Sequence, residues 1–170
     1  MADFRIWSDE FPSNGFMTRA QEFDQQAFGG SGENISPPLQ WEDPPADTAS
    51  FALSVYDPDA PTGSGFWHWV VVNIPADCRS LPRNAGKADG SLLPTGALQL
   101  RNDYGTVGFG GGAAAAWRQD ASLYLSHSCP QGRRAAARSE HHERRRAFHD
   151  AYEFHREIDS ATYTGLYELK

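Results

Sequence analysis

The chain has 170 residues, 39% hydrophobic and 22% charged, with 16 Gly and 11 Pro. That is enough for one domain and its core, and the composition excludes a collagen-like repeat, a coiled coil and a wholly disordered chain. A formal charge of −7 argues against a dedicated nucleic-acid binder, whose phosphate contacts need clustered Lys and Arg.

Near the N-terminus, Phe4-Arg5-Ile6-Trp7 reads as a short strand. The turn-rich Gly32-Glu33-Asn34-Ile35-Ser36-Pro37-Pro38 follows. Phe51-Ala52-Leu53-Ser54-Val55-Tyr56 alternates large and small residues, as a strand with unequal faces should. It halts at Asp57-Pro58-Asp59-Ala60-Pro61, where two prolines lack the amide hydrogens that a ladder needs. Phe66-Trp67-His68-Trp69-Val70-Val71-Val72-Asn73-Ile74 is long, aromatic and β-branched, which suits a central strand buried on both faces. Another turn-rich stretch, Leu81-Pro82-Arg83-Asn84-Ala85-Gly86, precedes the short strand candidate Ala97-Leu98-Gln99-Leu100. No helical stripe and no internal repeat precede residue 113. The expected fold is mainly β: two packed sheets with long loops and few short helices.

Charge breaks near residue 113. Residues 1–112 hold 14 of the 22 acids and six of the 15 bases, a balance of −8. Residues 113–157 hold eight arginines, six acids and five of the six histidines, a balance of +2. Such a break points to a second domain, a basic tail or a change in the origin of the sequence.

Chemistry concentrates at Asp57 and His68. The first closes one strand, the second lies in the next, and the loop Pro61-Thr62-Gly63-Ser64-Gly65 is short enough to make the strands neighbours. A nearby carboxylate favours the imidazolium, which can hold a phosphate or carboxylate by a charge-assisted hydrogen bond. Phe66, Trp67 and Trp69 are candidate walls. The competing reading is a core histidine satisfied by a backbone carbonyl, with Asp57 simply closing a turn.

Gly108-Phe109-Gly110-Gly111-Gly112-Ala113 fits the letters of a dinucleotide fingerprint. The polar Arg101-Asn102-Asp103-Tyr104-Gly105 ahead of it is no buried parallel strand, so a loop offering amides to an anion reads better. His127, His141, His142, His149 and His155 have no metalloprotease or zinc spacing, and no metal or other cofactor is expected. The Arg133-Arg134 and Arg144-Arg145-Arg146 runs have few interleaved aromatics, so they read as a solvated face and no nucleic-acid partner is expected. No apolar run approaches a membrane span, and the first residues lack a charged start followed by an apolar stretch. A soluble, cytoplasmic chain without stable membrane insertion is therefore expected. Cys78 and Cys129 then stay free thiols.

Gly32–Leu39, Asp57-Pro58-Asp59-Ala60-Pro61, His68-Trp69 with Asn73-Ile74-Pro75, and Arg101-Asn102-Asp103-Tyr104-Gly105 occur here in order. Over residues 4–112 the chain strongly resembles the phosphatidylethanolamine-binding protein family, in its bacterial branch of Raf-kinase-inhibitor-like proteins. Ser160-Ala161-Thr162-Tyr163-Thr164-Gly165-Leu166-Tyr167 resembles that branch's C-terminal end. The resemblance implies one domain over 1–170, an antiparallel β-sandwich with a small edge pocket for phosphate-like anions or phospholipid head groups. Asp57 and His68 align with pocket residues, Pro61 and Phe66 with wall positions, and Tyr104, Gly110 and Gly111 with the third pocket segment. It further implies a binding module or regulator of kinase- or protease-inhibitor kind, not an enzyme, and allows a homodimer.

The departure from the family is large. After its glycine segment the branch continues through prolines to G-D-K and an H-R-Y strand whose histidine and tyrosine belong to the pocket. Here the stretch reads Ala113-Ala114-Ala115-Ala116-Trp117-Arg118-Gln119-Asp120-Ala121-Ser122-Leu123-Tyr124-Leu125. Read one base later, the codons allowed for these residues can spell prolines and then G-D-K-T-H-R-Y-I-F. Those for Cys129-Pro130-Gln131-Gly132 can spell A-L-K-V, another family-like run. Residues from about 113 to before Ile158 therefore read as an out-of-frame translation, with an expected loss of ladder bonds, weak packing and a pocket open on one side. Leu123-Tyr124-Leu125 is the candidate substitute strand and Ala135 to His149 a candidate exposed helix. Two other functions stand beside anion binding: a hydrolase using Asp57 and His68 as base and orienter, and a nucleic-acid adaptor working through residues 131–146.

Overall fold

The computed structural model describes residues 4–113, 117–126 and 157–167. Two sheets face each other across one apolar core. The smaller has three strands in the order β1 (Arg5–Trp7), β3 (Leu39–Glu42), β6 (Ser80–Leu81), all antiparallel. The larger has six, in the order β2 (Gly15–Phe16), β9 (Glu157–Tyr167), β8 (Trp117–Ser126), β4 (Ser50–Asp57), β5 (Phe66–Pro75), β7 (Leu98–Gln99). Only the β2–β9 contact is parallel. Among the described residues, helical structure is confined to two 3-10 turns, Arg19–Gln21 and Gln26–Phe28. The first is held by a capping box between Thr18 and Gln21.

Alternation along the strands builds the core. Phe51, Leu53 and Val55 of β4 and Trp69, Val71 and Ile74 of β5 turn inward. They meet Ile6, Leu39, Trp41 and Leu81 of the smaller sheet. Tyr163 of β9 packs into the same core and donates its hydroxyl to the carbonyl of Phe11, tying the C-terminal strand to the N-terminal loop. In β5 the run Trp69–Val72 is buried on both faces, as its continuous apolar letters require.

Two elements differ from the sequence reading. The 97–100 candidate contracts to Leu98–Gln99, with two register partners on β5, Val71 and Val72, and Leu100 N–H donating to the Val70 carbonyl at 2.9 Å. The expected loss of ladder bonds after residue 113 is corrected. β8 pairs with β4 from Ser50↔Ser126 to Tyr56↔Asp120, and with β9 from Trp117↔Tyr167 to Ser126↔Glu157. Backbone ladders tolerate most residue types, and Ala121, Leu123 and Leu125 fall at alternate positions within the stretch paired with β4. The candidate helix 135–149, the arginine runs after 131, Cys129 and the five late histidines lie outside the described residues.

Among the described residues no helix is long and apolar enough to cross a membrane. No group of three or more His, Cys, Asp or Glu side chains converges there as a metal site would require. Cys78 is a free, half-buried thiol, pushed up in pKa chiefly by burial.

Candidate functional site at the β4–β5 edge

Three chain segments meet at one end of the large sheet. The first ends at Asp57, whose register partner on β5 is Phe66. Asp57 is buried, and its Oδ1 accepts the amide of Asp59 at 2.8 Å, an Asx turn that closes the strand just before the prolines. The second segment is the start of β5. Here Tyr56 pairs with Trp67 and Val55 with Trp69, so His68 is the extra residue of a β-bulge. Such a bulge re-aims a side chain that strict alternation would send elsewhere.

The third segment is the loop 101–112. It is sewn to β5 by mutual bonds: Asp103 N–H donates to the Trp67 carbonyl at 3.0 Å, and Trp67 N–H to Asp103 Oδ2 at 2.9 Å. The fully buried Asn102 donates to the Gly108 carbonyl at 3.0 Å and accepts the Thr106 amide at 3.1 Å. His68 and Gly110 then bond reciprocally. Gly110 N–H donates to the His68 carbonyl at 2.9 Å, and the His68 Nδ1–H to the Gly110 carbonyl at 2.7 Å.

Aromatic rings close the cluster. Phe66 lies 4.9 Å from the His68 ring and 4.6 Å from Tyr104, centroid to centroid. Tyr104 stacks on Phe23 at 3.9 Å and meets Phe28 edge-on at 5.3 Å. Its hydroxyl donates to the Gly111 carbonyl at 2.8 Å. Glycine is required at 110 because a Cβ there would come within 2.5 Å of the Tyr104 ring. At 111 a Cβ would collide with the backbone carbonyl of Gln21.

Of the sequence-predicted residues, Phe66, His68, Tyr104, Gly110 and Gly111 are joined by these contacts, Asp57 sits opposite Phe66 on the ladder, and Pro61 is exposed on the loop between β4 and β5. Three expectations need correction. His68 has no solvent-exposed surface, and burial lowers its pKa from 6.5 to about 4 against the opposing pull of the Gly110 and Gly111 backbone bonds. The ring is therefore neutral at pH 7, because burial outweighs these backbone bonds. A ligand reaches the ring only when a covering group gives way; among the described residues the half-buried Phe66 and Tyr104 lie against it. The amides of Gly110 and Gly111 do not face a ligand, since they donate to the His68 carbonyl and, at 2.8 Å, to Asn34 Oδ1.

Asn34, Asn102, Phe23 and Phe28 escaped the sequence reading. Asn34 and Asn102 sit inside motifs quoted above, where a short amide side chain in a turn-rich stretch could have been weighed as a loop staple. Phe23 and Phe28 carry no periodic signal at all.

Two β sheets packed across one apolar core, with a histidine and rings gathered at one sheet edge, define a β-sandwich class of protein. The chain belongs to the family described as phosphatidylethanolamine-binding protein, whose sequence model matches residues 7–132. Within it the chain falls in the YbhB/YbcL branch. The UPF0098 protein YbcL of Escherichia coli K12 is 54% identical over 110 residues, 65% of this chain and 59% of that protein. YbhB of the same organism is 49% identical over 101 residues, 59% of this chain and 63% of that protein. These alignments thus span about three fifths of each relative's length. The crystal structure of E. coli YbcL superposes with a TM-score of 0.85 at 38% identity, covering 99% of this chain and 100% of that one. A phosphatidylethanolamine-binding-protein homologue from Chlamydia trachomatis, CT736, shares the fold with a TM-score of 0.74 at 22% identity over 98% of both chains.

Proposed function

We propose that this domain is a non-enzymatic binder of small phosphate-like anions or phospholipid head groups, held at the His68 edge of the large sheet. The observation that carries the reading is the convergence of an acid, a histidine and a ring cluster from three separated segments. Family membership supports the same class of ligand. In this reading Phe66 and Tyr104 exclude water, and Gly110 and Gly111 form the wall that lets Tyr104 approach. A regulatory role toward a kinase or protease, action in the cytoplasm and a homodimeric assembly belong to the same proposal.

The test is titration of the full chain with inorganic phosphate, followed through the ring resonances of His68 by NMR. Saturable shifts at His68 and at the Tyr104 ring are expected. Absence of any shift up to millimolar phosphate overturns the reading. The hydrolase alternative lacks a positioned nucleophile among the described residues, and turnover of phospho- or carboxyl esters would favour it.

A further inference from the structure

Five asparagines occur in the chain, at positions 14, 34, 73, 84 and 102, and Asn14 alone is followed by glycine. The turn before β2 demands that pair. Gly15 N–H donates to the Pro12 carbonyl at 2.7 Å, closing the turn Pro12-Ser13-Asn14-Gly15. Asn14 stands third in it with φ 59°, a left-handed conformation open to asparagine and glycine and costly to most other residues. A Cβ at position 15 would lie 2.6 Å from the Pro12 ring and 2.8 Å from its carbonyl oxygen, so only glycine fits. The fold thus fixes the dipeptide in which a side-chain amide is least shielded from the next backbone nitrogen.

Asn14 is exposed, and its side-chain amide bonds to none of the described residues. The other four asparagines precede Ile, Ala or Asp, each of which sets a Cβ beside the nitrogen that would attack. Asn34 and Asn102 also hold their side chains in bonds to the 106–111 backbone. The same turn fastens the N-terminal stretch to β9. Asn14 N–H donates to the Thr164 carbonyl and Met17 N–H to the Leu166 carbonyl, both at 2.7 Å. Between them Gly15 and Phe16 pair with Gly165 and Leu166, and ahead of the turn Phe11 packs on the Tyr163 ring at 5.6 Å.

We propose that Asn14 is a site of spontaneous isoaspartate formation and that the change releases β2 from β9. The single bond from Gly15 to Pro12 opens by local fluctuation, without unfolding the sheet. The Gly15 amide then gives its proton to solvent base, and its nitrogen attacks Cγ of Asn14. The new Cγ–N bond forms, the Cγ–Nδ2 bond breaks, and Nδ2 takes a proton from water and leaves as ammonia. Water opens the resulting succinimide at either carbonyl, giving aspartate or isoaspartate. Isoaspartate routes the main chain through the former side chain and so adds one atom to the backbone. With two register pairs on β9, β2 has no length over which to absorb that shift.

The experiment ages the full chain at pH 8 and 37 °C. Isoaspartate is detected by methyl transfer from S-adenosylmethionine with an isoaspartyl methyltransferase and located by peptide mass mapping. It should accumulate at residue 14 at least about tenfold faster than at any other asparagine, because only there is the attacking nitrogen free of a following Cβ. Amide exchange at Met17 should be at least about tenfold faster in the isoaspartyl fraction than in fresh protein. Asn14→Gly keeps the left-handed turn and has no side-chain carbonyl to attack. It should stay folded, form no isoaspartate there and hold its Met17 exchange on ageing. Fresh Asn14→Asp carries the new charge without the extra backbone atom, and its Met17 exchange should match that of fresh protein. Isoaspartate forming no faster at residue 14 than at Asn84 overturns the site. Equal Met17 exchange in aged and fresh protein, or the same rise in fresh Asn14→Asp, overturns the release of β2 by backbone insertion.

Discussion

At His68 the balance of burial against hydrogen bonding decides both stability and chemistry. Its folded pKa of about 4 lies below the ordinary 6.5, so the unfolded chain binds the extra proton between these values. Stability contributed by the neutral ring is fully present above about pH 6.5 and is lost as pH falls toward 4. A shift of this size corresponds to about 3 kcal/mol at most. Urea midpoints measured from pH 7.5 to 4 should fall accordingly, and His68→Asn should flatten that stretch of the profile. An unaltered slope in the variant would assign the acid sensitivity to other groups. Gly110 gives a steric counterpart. Gly110→Ala sets a methyl 2.5 Å from the Tyr104 ring, an overpacking expected to cost about 1–3 kcal/mol. Urea unfolding reads that cost, and displaced Tyr104 ring resonances should accompany it. Residue types alone made Asp57 and His68 legible, since few pairings other than acid and imidazole serve such chemistry. The charge state was not legible, because it depends on how many atoms surround the ring.

Strand β5 carries two departures from regular pairing, and both matter to what lies at its ends. The bulge at His68 sets the site. The second lies between the pairs Phe51↔Ile74 and Leu53↔Val71, where Asn73 adopts φ 58°. That left-handed conformation is tolerated by asparagine and glycine and is strained for a β-branched residue. Asn73→Val should therefore destabilise by about 1–2 kcal/mol, and Asn73→Gly by much less, in urea unfolding. Equal costs would mean that lost side-chain contacts outweigh backbone strain. Strands β4 and β5 were readable because their alternation and β-branched content are strong and prolines bound them. Neither bulge was readable. A bulge changes register without changing composition, so the run Phe66–Ile74 looks uniform in letters. The loop 101–112 posed the opposite problem: its glycines read as amide donors, yet their amides serve Asn34 and the His68 carbonyl.

Closure of the whole molecule depends on strands far apart in sequence. β9 lies between β2 and β8, and β8 between β9 and β4, so the sheet's two halves join through residues that follow the composition break. Read one base later, the codons allowed for residues 121–123 can spell the family-like H-R-Y, and the register of β8 sets position 121 opposite Val55, two residues from Asp57 along the ladder. The sandwich retains a strand at this place, and its letters where the resemblance implies a histidine and a tyrosine are Ala121 and Leu123. Ala121→His with Leu123→Tyr should return those groups to the site edge. A hydrogen bond to a charged group is worth about 1.5–3 kcal/mol, so inorganic phosphate should bind at least about tenfold tighter to the double variant. Calorimetry of both proteins at pH 6.5 checks this. Unchanged affinity in a folded variant would show that β8 does not contribute to the pocket, and the origin of residues 113–157 would then have no bearing on ligand binding.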